Sequence, residues 1–436
     1  MKKIIIMLLL LAFPGLSIKA QTWNTLSTGT NDWVDALKGD TLNILYAGGY
    51  FTQAGGNNIA HVAKWNGTNW SSLGTGVDQG VHALEIINGD LYVGGEFLNA
   101  GGNSAVRIAK YDGSVWTGFG NGLGGSVNAI AEYNGEIYAG GLGGLQKWNG
   151  TDWVELGSGI GGNNPYVSAL KVYNSELYVA GEFELAGGLT ANGIAKWNGS
   201  AWSIPGGTGL DSFGFAYALE VFNGELYIGG QFITAGGIAD TCLAKWNGTN
   251  WVAVNTGFTD FISENPSISS LKAINNSLFL GGYFDTIGNM PVNFVAKYDG
   301  TTFSDLGLGT NNIVGCLGSY NGNLIAGGQF LQAGGNTANY IAEWTGSNGI
   351  ENIESKNEMI VYPNPSSNSI NIHINSQFSI LNSQLIITDV LGNEVYHQSI
   401  NNSTQSTIDI SNFSSGVYFY QLSNNKETVR GKFIKE

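Results

Sequence analysis

The sequence predicts an all-β protein, and three observations carry that prediction: abundant glycine, scarce charge, and short alternating segments that recur along the chain. Glycine accounts for 66 of 436 residues, about twice the usual share, while charged residues make up only 12%. Exposed helices need the opposite balance, with a charged outer face. Aromatic residues reach 12% and hydrophobic residues 43%, enough to fill more than one core. The formal net charge of −15 repels phosphate backbones and anionic lipid, so neither nucleic acid nor a membrane surface is an expected partner.

The first segment reads as an address. Lys2 and Lys3 precede the apolar run IIIMLLLLAF, and LSIKAQ offers a cleavage point after Ala20, so residues 1–20 are expected to be a signal peptide. That run is short for a bilayer span and no other long apolar stretch follows, so no transmembrane segment is expected in the mature chain. Cys242 and Cys316 fall at different positions of different repeats and read as packed thiols rather than a disulfide.

The repeat itself begins after Ala20. AKWNGTNW occurs at Ala63–Trp70 and again at Ala244–Trp251, and around these copies a unit recurs about every 46 residues. Each unit yields four short strands. Strand A is VHAL, VNAI or VSAL; strand B is LYVGGEF or LYIGGQF; strand C is IAKYDG or LAKWNG; strand D is VWTGFG or NWVAV. The Asn-Gly between strands C and D suits a tight hairpin that needs positive φ, so Asn66, Asn149, Asn198 and Asn247 read as turn residues rather than glycan acceptors. Strand A starts fall near Val34, Val81, Val127, Val167, Ala216, Ile268 and Val314, which gives seven blades of a β-propeller. The last unit stops at YIAEWTGS without a strand D, and TWNTLSTGT at Thr22–Thr30 matches the missing piece. The expectation is a ring over residues 21–347 closed by its N-terminal strand, which removes the open sheet edge.

This pattern resembles kelch-type propellers, in which a glycine pair ends the second strand, a Tyr-like aromatic lies in the third and a Trp in the fourth. Gly94, Gly95, Tyr111 and Trp116 stand in that order. Trp replaces the tyrosine at Trp65, Trp148, Trp197 and Trp246, and the tryptophans are expected to fill the space between blades.

After a polar linker over residues 348–359 the grammar changes to VYPNPSSNSINIHI, LIITDVLGNEVY, STIDISNFSSGVYFYQL and GKFIKE. These alternating strands with Gly and Asn-Pro turns suit a small antiparallel β-sandwich over residues 360–436. Tyr362-Pro363-Asn364-Pro365, the Leu391-Gly392 turn, Gly416-Val417-Tyr418 and the terminal Lys432-Phe433-Ile434-Lys435 resemble the C-terminal sorting domain of the Bacteroidetes type IX secretion system. The resemblance implies a secreted or outer-surface protein that crosses the periplasm and engages the type IX machinery.

Candidate chemistry is sparse. His61 and His82 are the histidines of the repeats, and neither stands in a metal-ligand spacing, so no metal site, no cofactor and no catalytic residue is assigned. A carboxylate pair for glycoside cleavage among Asp35, Asp78, Asp211, Asp240, Asp260 and Glu264 is the enzymatic alternative, a polysaccharide-acting enzyme. The D–A and B–C connections are long and variable and open on one face, which makes that face the expected binding surface. Its aromatics are Tyr166, Phe213, Phe215, Tyr217, Phe258 and Phe261, suited to stacking on sugar rings or gripping a peptide. The third blade lacks the B–C excursion and leaves a gap in the rim. The resulting expectation is a monomeric binding or adhesion module for an extracellular glycan or protein. Asp40-Thr41-Leu42 and Asp285-Thr286-Ile287 fit an O-glycosylation motif common in exported Bacteroidetes proteins, which makes Thr41 and Thr286 acceptor candidates.

Overall fold

The computed structural model describes residues 22–207, 209–211, 214–254, 257–259, 265–345, 359–362, 364–374, 383–390, 393–400, 405–424 and 428–436. Ala20, Phe213, Phe261, Pro363, Leu391 and Gly392 therefore lie outside the described residues. The chain forms two compact units, 1–348 and 349–436. Among the described residues all regular structure is β except one 3-10 turn at Pro205–Gly207.

Among the described residues the first unit holds seven four-stranded antiparallel sheets, with small two- and three-stranded sheets in its connections. In the second of them the strands are Val81–Ile87, Asp90–Gly95, Ile108–Tyr111 and Trp116–Gly118, paired in chain order. The A strands touch one another in sequence, and the last, Val314–Tyr320, returns to the first, Val34–Gly39. The fourth strand of the last sheet comes from the other end of the unit: Thr22–Thr25 pairs with Ile341–Thr345 in the register Trp23 to Trp344. The architecture is that of a β-propeller.

Turn chemistry differs from the expectation at one place. The two-residue hairpins with positive φ lie between strands A and B, as at Asn88 (φ 54) and Gly89 (φ 89). The C–D connection is instead a four-residue loop, because Trp65 pairs with Trp70 and leaves Asn66–Asn69 between them. There the Asn66 side-chain carbonyl accepts hydrogen bonds from the backbone of Thr68 (3.0 Å) and Asn69 (2.8 Å). Asn149, Asn198 and Asn247 close their loops the same way. The asparagine acts through its side chain, which mimics a backbone turn.

Glycine pairs on strand B set the spacing between sheets. A Cβ on Gly94 would lie 2.4 Å from Cγ1 of Val127 in the next sheet, whereas one on Gly95 would lie 2.1 Å from the Gly80 carbonyl of its own sheet. The first glycine thus admits the neighbour and the second admits the bend of strand A. Tryptophans seal the outer half: Trp116 is 6% exposed, and its indole N–H donates to the Leu73 carbonyl at 2.8 Å. Trp23, Trp70, Trp202 and Trp251 make the corresponding bond to Leu306, Leu26, Leu156 and Pro205. Cys242 and Cys316 are buried thiols outside any disulfide, and they donate to the Pro266 carbonyl at 3.0 Å and the Val34 carbonyl at 3.3 Å.

The B–C connections are far more regular than their length suggests. Six of them fold into a small hairpin, for example Asn99–Ala100 with Asn103–Ser104, whose turn glycine Gly101 donates to the Gly76 carbonyl of the preceding D–A loop. The side chain of Asp78 in that loop accepts from the backbone of Leu98 and Asn99. The third sheet has no such hairpin; Glu136–Gly141 runs into Gly144–Trp148.

In the second unit a three-stranded sheet (Met359–Tyr362, Ser369–Ile374, Gln405–Asp409) and a four-stranded one (Glu394–Ile400, Ser383–Thr388, Gly416–Ser423, Thr428–Lys435) share one core. Ile370, Ile372 and Ile408 of the first sheet pack with Leu385, Ile387, Tyr420, Leu422 and Phe433 of the second. Period-two alternation explains this, since every second residue faces the partner layer.

Candidate functional site

Every A strand carries a register shift around its second residue: Asp35, His82, Asn128, Ser168, Tyr217, Ser269 and Gly315. A bulge re-aims the side chain it carries. The residue that follows the Gly-Gly pair of strand B, or Ala180-Gly181 in the fourth sheet, varies in the same way: Tyr50, Glu96, Leu142, Glu182, Gln231, Tyr283 and Gln329. These two sets vary while everything around them repeats.

They meet in one cluster that draws on the first five sheets. His82 lies with Nδ1 3.4 Å from Asp35 Oδ2 and Nε2 3.5 Å from Glu96 Oε1. Burial alone would lower the pKa of this imidazole, but the two carboxylates override it and raise the pKa above the ordinary value. The Tyr50 hydroxyl donates to Glu96 Oε1 at 3.2 Å, and its ring meets His82 edge-on at 5.4 Å. Burial, with the Glu96 charge adding to it, pushes the Tyr50 phenol up to about 12. Trp33, 41% exposed, stands edge-on to Tyr50 at 6.3 Å and extends the aromatic surface outward.

Tyr166 and Tyr217 continue the cluster from the fourth and fifth sheets. Burial, then the Glu182 charge, pushes the phenols of both Tyr166 and Tyr217 up to about 12. The charges of Glu96 and Asp35 add to the rise of the Tyr166 phenol. Phe215 is half-buried and stacks on Tyr217 at 6.3 Å. Asp35, Glu96 and Glu182 supply acceptors, and Trp33, Tyr50, Tyr166, Phe215 and Tyr217 supply aromatic surface. That combination suits a ligand with hydroxyl or amine donors and an apolar face.

Phe258 departs from its expected place. It is 4% exposed, pairs with Ile287, and packs edge-on against Phe284 (5.1 Å) and Phe303 (6.1 Å). The strand Phe258–Thr259 binds the hairpin of its own sheet and turns the ring inward, so Phe258 is core and not rim. Tyr50, Glu96 and Glu182 were not singled out from sequence. Their signal is that they stand between a fixed glycine and a fixed Phe in six of seven units yet differ in charge and size. His61 sits at φ 60, where its carbonyl accepts from Gly49, and serves as a turn residue. Among the described residues no group of three or more His, Cys, Asp or Glu is gathered to hold a metal ion.

The O-glycosylation candidates differ in access. Thr41 is exposed in its turn, next to an Asp40 carboxylate that accepts from the backbone of Leu42 and Ile44 at 2.8 Å. Thr286 is half-buried in a strand and its hydroxyl hydrogen-bonds that of Thr259.

In the second unit the two ends of the sandwich are tied to each other. Asn364, joined to Pro365 by a cis peptide, accepts from the Ile434 backbone at 2.9 Å and donates to the Lys432 carbonyl at 3.5 Å. Ser366 and Glu436 extend the pairing. Tyr362 is 46% exposed, whereas Tyr418 is buried, donates to the Ser414 carbonyl and stacks on Phe433 at 5.6 Å. Gly416 starts the strand that carries Tyr418.

Residues 360–436 match the family described as the secretion system C-terminal sorting domain. No curated protein matches the chain. Among solved structures the chain is similar to PorZ, an essential bacterial surface component of the type IX secretion system of Porphyromonas gingivalis, at 17% identity and a TM-score of 0.46. That likeness covers 93% of this chain and 59% of PorZ, so the chain spans well under two thirds of the PorZ length. It is also similar to the propeller domain of the Trilobed protease from Pyrococcus furiosus, at 8% identity and a TM-score of 0.44, covering 72% of this chain and 95% of that one. Both are likenesses of fold. The sorting domain marks the protein as exported through type IX secretion to the cell surface or the extracellular space, and among the described residues no helix is long and apolar enough to cross a membrane.

Proposed function

We propose that the protein is an extracellular binding or adhesion module whose ligand, a glycan or a protein, docks on the long-loop mouth of a seven-bladed kelch-like propeller. In this reading residues 21–347 form the propeller closed by Thr22–Thr25, residues 348–359 the linker, and residues 360–436 the part that engages the secretion machinery. The convergence of Asp35, Tyr50, His82, Glu96, Tyr166, Glu182 and Tyr217 from separate sheets carries it. Phe215 flanks the group. The test is retention of the mature protein on glycan and peptide arrays, with soluble products assayed in parallel. Tyr166→Ala and Tyr217→Ala should each weaken retention about tenfold, the equivalent of about 1.4 kcal/mol. Retention unchanged by both substitutions places the ligand elsewhere, and release of product assigns the mouth to a polysaccharide-acting enzyme. In the native host Thr41 is the acceptor expected to carry O-glycan, and an unmodified Thr41 peptide in mass spectra of the native protein ends that assignment.

A further inference from the structure

Six of the seven sheets show the same contact, and the remaining one shows what the contact looks like with one side removed. In the six, the carbonyl of a loop glycine (Gly29, Gly76, Gly159, Gly209, Gly257 or Gly309) accepts from the turn glycine of the sheet's own B–C hairpin at 2.8 to 2.9 Å. Two residues further on, the loop backbone donates to the hairpin, as Asp78 does to the Asn99 carbonyl at 3.2 Å. In the third sheet the corresponding groups are the Gly122 carbonyl and the Gly124 N–H, and among the described residues neither has a hydrogen-bond partner. The loop is otherwise kept in place, since Gly122 donates to Phe119 and Leu123 to Val106, the bonds made in the other sheets by Gly76 to Leu73 and by Thr30 to Asn339.

Two independent features mark the same sheet. A cavity opens beside the loop, lined by Leu123, Gly124, Ser126, Leu142, Gln146 and Asn164 among others. Trp153, the strand D tryptophan of this sheet, is 8% exposed and its indole N–H has no partner, unlike Trp116. In five of the other six sheets the indole lies under the hairpin glycine, as Trp116 lies under Gly101; the sixth sheet carries Phe303 in place of the tryptophan. Charge also matches. No charged residue lines the cavity, in a chain of net charge −15, and none occurs in the strand pairs of the six hairpins.

We propose that the third sheet is a docking slot for an uncharged, extended peptide segment of a partner protein, which adds its main chain to Gly122–Gly124 as the missing hairpin would. Main-chain pairing supplies the affinity in this mode, and the small residues at the turn, Ala-Gly in five of the six internal hairpins, set the preference. The slot stands whether or not the channel mouth binds a ligand.

The probe is a synthetic peptide with blocked ends and the sequence of residues 97–106, FLNAGGNSAV, titrated into the full-length protein with a scrambled peptide as control. Saturable binding is expected, with slowed amide exchange confined to residues 122–125. Gly124→Pro, which removes the donor, should weaken binding about tenfold. A second variant, with the six residues NAGGNS inserted between Leu142 and Gly143, supplies the hairpin in cis and should abolish binding. Absence of saturation at millimolar peptide overturns the proposal, as does undiminished binding to the insertion variant, which keeps the test decisive if Gly124→Pro fails to fold.

Discussion

In the first unit a sheet meets its neighbour through glycine; in the second, two sheets meet through isoleucine, leucine and aromatic rings. The Gly94–Val127 approach leaves no room for a methyl group, whereas the sandwich fills its interlayer space with Ile370, Ile387, Leu422 and Phe433, all fully buried. A ring of sheets narrows toward its centre, so side-chain volume must fall from the tryptophans outside to glycine inside. Two facing layers have constant spacing and need constant volume. The difference teaches where each unit is fragile: the first where a methyl group is added at a glycine, the second where one is removed from a filled layer.

Removing residues 360–436 should have the largest effect. Surface localisation is lost, with the remaining chain in the periplasm, and fractionation of host cells checks it; normal surface display of the truncated chain would contradict the division of labour. Next, Gly94→Ala should cost about 3 kcal/mol in chemical denaturation of the first unit, the upper end for overpacking. Ile387→Val in the sandwich should cost about 1 kcal/mol. Equal costs would erase the contrast between the units.

Within the first unit, Trp116→Phe should cost about 1 kcal/mol more than Trp153→Phe, because only Trp116 loses an indole hydrogen bond. Denaturation midpoints of the two variants measure the gap. The smallest effect is pH-dependent. His82 has a folded pKa raised above the ordinary 6.5, so its contribution is fully present below that value and is lost as pH rises through the folded pKa. The melting temperature of the first unit should therefore fall slightly between mildly acidic and mildly basic pH. His82→Asn should remove that slope, and a slope that persists in the variant would assign it to another group.

Much of the fold was legible because its causes are local. Glycine pairs, alternation in strands A to C, and the Trp23 match at the opposite end of the unit are all visible in the letters. Turn assignment was only half legible: Asn66-Gly67 and Asn88-Gly89 share the same dipeptide, yet the number of residues left between paired strands decides which becomes a two-residue hairpin. The sorting motifs were legible as words, but their joining through Asn364 was not, since the partners stand 70 residues apart.

The candidate site was the least legible. Tyr166, Phe215 and Tyr217 were visible as aromatics near long loops, but Phe258 reads identically and lies in the core because its short strand pairs with Ile287. Glu96 and Glu182 carry no mark of their own in the sequence; Glu96 gains meaning only from the 3.5 Å approach of His82, which strand A presents at its bulge. By itself the sequence determined the all-β class, the repeat and the export address, because each rests on short-range patterns of residue volume, alternation and turn chemistry. Only the tertiary structure decided which side chains share the mouth and which backbone groups of the third sheet stand unpaired. Those are relations between residues on different strands and different sheets, such as Asp35 and His82, set by how the sheets are arranged around a common centre rather than by any local preference.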